Sequence, residues 1–157
     1  MSYLPDRPYL ADWMSAEQLM DFFEDFYADF DRDRATEMLL RLNIVPEQRI
    51  KAMSKGTREK VQLIMVMSRK ASLYLLDEPI GGVDPATRDY ILDTIIRNYN
   101  PEAAVVISTH LISDVEQVLD DVIFINGGRV VLQSSVDTIR EEQGMSVDAY
   151  FREVFRC

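Results

Sequence analysis

The stretch MSKGTREKVQLIMVMSRKASLYLLDEP, residues 53–79, sets a small-residue turn, an amphipathic run and a short apolar run in succession. The apolar run Leu73-Tyr74-Leu75-Leu76 stops on two adjacent carboxylates and a proline, Asp77-Glu78-Pro79. So short an apolar run between helical patterns reads as a strand buried on both faces, as in a parallel sheet. Ligands of open α/β sheets gather at the carboxyl ends of the strands. Neighbouring strand residues point to opposite faces, so two carboxylates there can do different work. Asp77 holding a metal through water and Glu78 polarising an attacking water is a division that suits phosphoryl transfer. Taken alone, the pair fits equally well with Asp77 capping the next segment and Glu78 standing in solvent.

Working outward, a helix is expected from about Thr57, with Val61, Ile64, Met65 and Ser68 turned inward. Downstream, Val105 to Ser108 repeats the buried-strand pattern, and residues 86–98 and 112–120 read as the intervening helices. Val122 to Ile125, the Gly127-Gly128 turn and Arg129 to Leu132 read as a β-hairpin, followed by closing helices over 135–142 and 146–155. Upstream, Pro5 and Pro8 make residues 3–13 an expected loop. Ser15 with Gln18 is a capping-box pattern that opens a helix whose Leu19, Phe22, Phe23, Phe26, Tyr27 and Phe30 share one face. A further helix from about Asp33 turns Ala35, Met38, Leu39 and Leu42 inward. The order describes an α/β sheet carrying a helical insertion, with a helical part over 1–70 and an α/β part over 71–157 forming one structural unit.

At 157 residues and 47% hydrophobic, the chain has enough apolar material for one core. Its longest apolar runs, around Val61 to Met67 and Val122 to Ile125, fall short of a membrane span. No basic-then-apolar leader opens the sequence, so secretion is not expected. The single cysteine, Cys157, rules out an internal disulfide and suits a reducing cytoplasm, and one cysteine with one histidine makes a zinc site a poor reading. A net charge of −10 argues against a nucleic-acid partner, since phosphate binding needs a cationic surface. The acids Asp21, Glu24, Asp25, Asp29, Asp31 and Asp33 read as a solvated helix face.

Five short motifs in order give the chain a relative. Tyr3-Leu4-Pro5-Asp6, Met53-Ser54-Lys55-Gly56-Thr57, Leu73 to Glu78, Gly81-Gly82-Val83-Asp84-Pro85 and Ile107-Ser108-Thr109-His110 resemble, respectively, the Q-loop, signature motif, Walker B strand, D-loop and H-loop of ABC transporter nucleotide-binding domains. Within that family the chain looks most like bacterial exporters whose ATPase is a separate polypeptide. The resemblance implies a partial P-loop NTPase fold, ATP and Mg²⁺ as cofactors, and a cytoplasmic place on the inner face of the membrane beneath a transmembrane permease subunit. It implies Glu78 and His110 as catalytic residues, and Asp77 and Asp6 as magnesium ligands. Ser54, Lys55, Gly56, Thr57 and Asp84 would face nucleotide across a head-to-tail dimer with a second ATP-binding domain. Tyr9, Leu10 and Trp13 would lie near the permease.

The chain departs from the family pattern at several points. Asp6 stands where glutamine is usual, Lys55 replaces a glycine, Thr57 a glutamine and Gly81 a serine. It contains no Gly-x-x-x-x-Gly-Lys-Ser/Thr phosphate loop, which the family places upstream of the Q-loop. The resemblance therefore implies the C-terminal part of an ABC ATPase, complete at its C-terminus, which by itself binds no ATP and is inactive. The missing strand would leave a gap in the sheet. It would be relieved by self-association through residues 104–132 or by the hairpin moving over to the strand ending at Ser108. Two other functions compete: a soluble ABC-type ATPase uncoupled from any membrane, and a non-catalytic module docking through the phenylalanine stripe.

Overall fold

A computed structural model describes residues 1–156, so the lone thiol of Cys157 lies outside the described residues. Two compact units emerge, Met1–Thr109 and His110–Cys157.

The first unit is built on three parallel strands, β1 (Ser2–Leu4), β2 (Leu73–Asp77) and β3 (Ala104–Ser108), in the order β1-β2-β3. The paired registers run from Ser2 opposite Tyr74 to Leu4 opposite Leu76, and from Leu73 opposite Ala104 to Asp77 opposite Ser108. The strand β1 takes Tyr3 and Leu4 from the expected loop over 3–13, while residues 5–13 form neither helix nor strand, as expected. Three residues are too few to show a period, and the nearby prolines dominate the local signal; β2 supplies the hydrogen-bonding neighbour that makes them a strand.

Four α-helices and a 3₁₀ turn over Ile50–Ala52 complete this unit. In α1 (Ala16–Phe26) the capping box forms as expected, Ser15 accepting from the Gln18 amide while the Gln18 side chain accepts from the Ser15 amide. The aromatic stripe on α1 does not stay on one face. Leu19 and Phe23 are buried, whereas Phe22 and Phe26 are 43% and 69% exposed. The helix ends at Phe26, and a 100° step per residue carries Phe22 and Phe26 to its flank, where their rings pack on each other at 4.5 Å. Helix α2 (Arg32–Arg41) is capped by Asp31 and buries Ala35, Met38 and Leu39. Helix α3 (Lys55–Met67) starts two residues earlier than Thr57, on the Ser54 cap, and buries every residue from Val61 to Met67. These three helices share one core with Ile50 and Met53. Beneath them Arg69 ties chain segments together. Its guanidinium donates to both Asp29 oxygens at 2.8 and 2.9 Å and lies 3.8 Å from the centre of the Tyr27 ring. Helix α4 (Pro85–Asn98) opens on Asp84 with proline in its first turn, where a missing amide costs nothing.

The second unit comprises α5 (Ile112–Val115), β4 (Asp121–Asn126), β5 (Arg129–Ser135), α6 (Val136–Gln143) and α7 (Val147–Val154). The antiparallel hairpin forms as read, turning at Gly127-Gly128, with a register irregularity between Phe124 and Ile125. The helix expected over 112–120 is cut to one α-turn and a 3₁₀ turn over Glu116–Val118. The buried Glu116 explains part of this: its carboxylate accepts from the Val147 and Asp148 amides at 3.0 and 3.3 Å, capping α7, and from Arg140 at 3.2 Å. The hairpin turns Val122 and Phe124 onto α6 and α7, with the Phe151 ring edge-on to Phe124 at 5.1 Å. Its other face leaves Ile123 and Ile125 at 56% and 66% exposure.

Candidate functional site

The end of β2 opens into a cleft lined by Leu4, Pro5, Asp6, Pro8, Glu59, Gln62, Leu63, Asp77, Glu78, Pro79 and Gly81. Three elements build it. β1 delivers Pro5 and Asp6, β2 delivers Asp77 and Glu78, and α3 closes it from the side with Glu59 and Gln62. The parallel pairing of β1 with β2 thus brings Asp6 to the carboxylates, although about seventy residues of chain separate them.

Asp77 and Glu78 have different environments, not through strand alternation, because β2 ends at Asp77 and Glu78 leaves the strand with a left-handed backbone. Asp77 accepts from the Ser108 hydroxyl, and the Glu78 amide donates to the Ser108 carbonyl at 2.9 Å. β3 therefore fixes where β2 ends. Glu78 has φ of +47°, a left-handed backbone that costs a non-glycine residue about 1–2 kcal/mol. Such strain concentrates at functional positions. It swings the Glu78 side chain over Gly81, where an added Cβ would sit 3.3 Å from the Glu78 carbonyl oxygen and 3.6 Å from its Oε2. The glycine at 81 makes room for that carboxylate.

Gln62 and Glu59 were not singled out as site residues by sequence reasoning. The signal was present: Gln62 is a polar break in the apolar run from Val61 to Met67. It is 6% exposed, accepts from the Tyr9 amide at 3.3 Å and donates to the Pro5 carbonyl at 3.5 Å, holding the 5–9 segment against α3. Glu59 lies one turn from the α3 start, and burial pushes its carboxyl above the ordinary range while Lys55 pulls it down.

At the α3 N-terminus, Ser54 accepts from the Thr57 amide at 3.2 Å, and the two hydroxyls lie 2.8 Å apart. Gly56 lies against α4, its added Cβ falling 3.8 Å from the Thr87 hydroxyl. The first-turn amides and the helix dipole make this terminus attractive to an anion. Asp84 caps α4, accepting from the Thr87 amide at 3.0 Å and the Thr87 hydroxyl at 2.7 Å. Those bonds, the hydroxyl's first, hold its carboxyl below the usual range. His110 is exposed and opens the second unit.

Among the described residues no three histidine, cysteine or acidic side chains are grouped to hold a metal ion. Asp6, Asp77 and Glu78 share the cleft but do not form a metal cage by themselves. No helix of the described residues is long and apolar enough to cross a membrane.

Comparison with known proteins points to one family. Residues 1–81 match the model of the family described as ABC transporter. YxlF of Bacillus subtilis, named an ABC transporter ATP-binding protein, is 28% identical over 152 residues, covering 94% of this chain and 51% of that protein. The thiamine import ATP-binding protein ThiQ of Chelativorans is 30% identical over 120 residues, covering 74% of this chain and 49% of its own length. A solved ATP-binding subunit of an ABC transporter superposes with a TM-score of 0.84 at 25% identity, covering 99% of this chain and 68% of that one. The chain spans about half the length of the first curated relatives it matches.

Proposed function

Since the chain belongs to the ABC transporter family, we propose that it supplies the signature, Walker B and switch elements of an ATP-hydrolysing subunit. ATP-binding subunits of this family are ATPases, and the mixed α/β fold with its terminal hairpin is theirs. In our reading the active protein carries these elements beneath a permease on the cytoplasmic face of the membrane. The observation that carries the reading is the cleft at the end of β2, where Asp77, Glu78 and Asp6 converge from two paired strands.

Glu78 is the residue that orients and polarises a water; its left-handed backbone aims the carboxylate away from the line of β2. Asp77, held by Ser108, and Asp6 would contact magnesium, with phosphate and water completing its shell. The metal, when bound, neutralises phosphate charge. His110 would contact the terminal phosphate. Ser54, Lys55, Gly56 and Thr57 face nucleotide held by a second ATP-binding domain, and Asp84 contacts that domain. Tyr9 and Trp13, 47% and 61% exposed, with the half-buried Leu10, suit a permease contact. The signature-bearing part over 1–70 and the Walker B part over 71–157 divide this labour.

This sequence holds no Gly-x-x-x-x-Gly-Lys-Ser/Thr loop, so we expect the chain alone to bind Mg-ATP too weakly for calorimetry at micromolar protein. A micromolar dissociation constant would overturn that. Joined to an upstream phosphate-loop segment, Glu78→Gln should abolish turnover while nucleotide stays bound, and His110→Ala should slow turnover strongly. Near wild-type hydrolysis in either variant would show that its role is misassigned. β3 is the last strand of its sheet, and we propose that copies of this chain associate there and at the exposed hairpin face.

A further inference from the structure

Lys55 stands where the family pattern has a glycine, and its side chain reaches from the α3 start to the loop before α4. Its ammonium donates to the Gly82 carbonyl at 3.4 Å and lies 3.7 Å from Glu59 Oε1. Gly82 permits the approach: its φ is +69°, and an added Cβ would fall 3.4 Å from the Lys55 nitrogen. Glu59 is 22% exposed, and its second oxygen is fully buried with no hydrogen-bond partner. A carboxylate in that position needs a nearby cation, and Lys55 is the nearest. Arg58 assists from α3, Asp84 opposes from the loop, and Asp6, Asp77 and Glu78 line the same cleft. Two further contacts run along the same seam between α3 and α4. Gly56 abuts Thr87, and the Lys60 ammonium lies 5.4 Å from the centre of the Tyr90 ring.

We propose that Lys55 is a positioning residue that clamps the signature turn, Ser54–Thr57, to the loop Gly81–Asp84, so that both meet a partner domain in one fixed spacing. The proposal rests on the reading that those two segments face a second ATP-binding domain together. The clamp works through charge. Ionised Glu59 holds the Lys55 ammonium, and the ammonium in turn holds the Gly82 carbonyl. Ionised Glu59 holds the clamp, and protonation loosens it.

The test uses the chain as it is, without nucleotide. Carbon-detected NMR follows the Glu59 carboxyl through a pH titration, and hydrogen exchange follows the Gly81 amide, which donates to the Glu78 carbonyl at 3.0 Å. In Lys55→Met the Glu59 midpoint should move further up, and Gly81 exchange should speed roughly five-fold, the scale of one lost surface-to-buried charge contact. Lys55→Arg should restore both, and Glu59→Gln should speed Gly81 exchange as Lys55→Met does. An unchanged Glu59 midpoint, or unchanged Gly81 exchange, in Lys55→Met overturns the clamp. Neither readout involves ATP, so its failure would leave the nucleotide-facing reading standing. Failure of that reading in the turnover assays would leave the clamp measurable.

Discussion

Leu73–Asp77 and Ala104–Ser108 are both five-residue apolar strands ending on a polar side chain, yet their surroundings differ sharply. β2 has a neighbour on each edge and buries Tyr74 and Leu76 at 0% and 2% exposure; β3 has one neighbour and leaves Val106 52% exposed. The difference teaches that an apolar run states what a strand can bury, while its neighbours decide what it does bury. It also explains why the chemistry sits where it does. A strand held on both edges fixes its last residues well enough for Asp77 and Glu78 to keep distinct environments. β3, the last strand of its sheet, is held on one edge only.

The largest expected effect tests that contrast directly. Leu76→Ala should lower stability by about 2–5 kcal/mol, and Val106→Ala by less than about 0.5 kcal/mol, in urea unfolding followed by circular dichroism. Equal losses would break the comparison. Next, the second unit has its own buried polar anchor in Glu116. Glu116→Gln should cost that unit about 1–2 kcal/mol, because the cap on α7 loses its charge-assisted bonds. Hydrogen exchange in α7 should then rise while exchange in β2 stays unchanged.

A smaller energetic effect sharpens the role of the β3 edge. Val106→Lys should leave thermal stability within about 0.5 kcal/mol, yet shift sedimentation from dimer or larger species toward monomer. A wild-type chain that stays monomeric at high concentration would refute association at this edge.

The smallest effect is expected in acid. Asp29 is held below the ordinary carboxylate range by the Arg69 guanidinium, and Asp31 by the Arg34 amide. For Glu116, burial pushes the carboxyl up, but the Val147 and Asp148 amides and Arg140 together bring it below its ordinary value. Each folded-state value is depressed, so its stabilisation is complete above the unfolded-state value and is lost as pH falls through the folded one. The stabilisation from these three groups should therefore be complete above about pH 4.5, the ordinary glutamate value, and decline below it, while Glu59, held above its ordinary value by burial, works the other way as pH rises. The Asp29 and Asp31 side chains are 32% and 26% exposed, so solvent screens part of their share, and added salt should shrink it. Acid titration of the Asp29→Asn and Glu116→Gln variants, read by unfolding midpoint, separates the two units' shares.

Local chemistry was enough to place most elements. Side-chain caps at Ser15, Asp31, Ser54, Asp84, Ser135 and Ser146 mark helix starts through bonds made within three residues, so they are legible in the sequence. The same holds for the hairpin, whose glycine turn and alternating strands carry their own signal, and for the carboxylate pair at the end of β2. What the sequence left open needed partners distant along the chain. β1 is a strand because β2 lies beside it, and Phe22 and Phe26 are exposed because α1 packs through Leu19 and Phe23. Glu116 shortens a helix because the α7 amides thirty residues on require an acceptor. Asp6 reaches the Asp77–Glu78 cleft by strand pairing, and Lys55 reaches Gly82 across the seam between α3 and the loop before α4. Hydrogen-bonding reach within one turn is written in adjacent residues; burial and pairing belong to whichever segments the folded chain brings together.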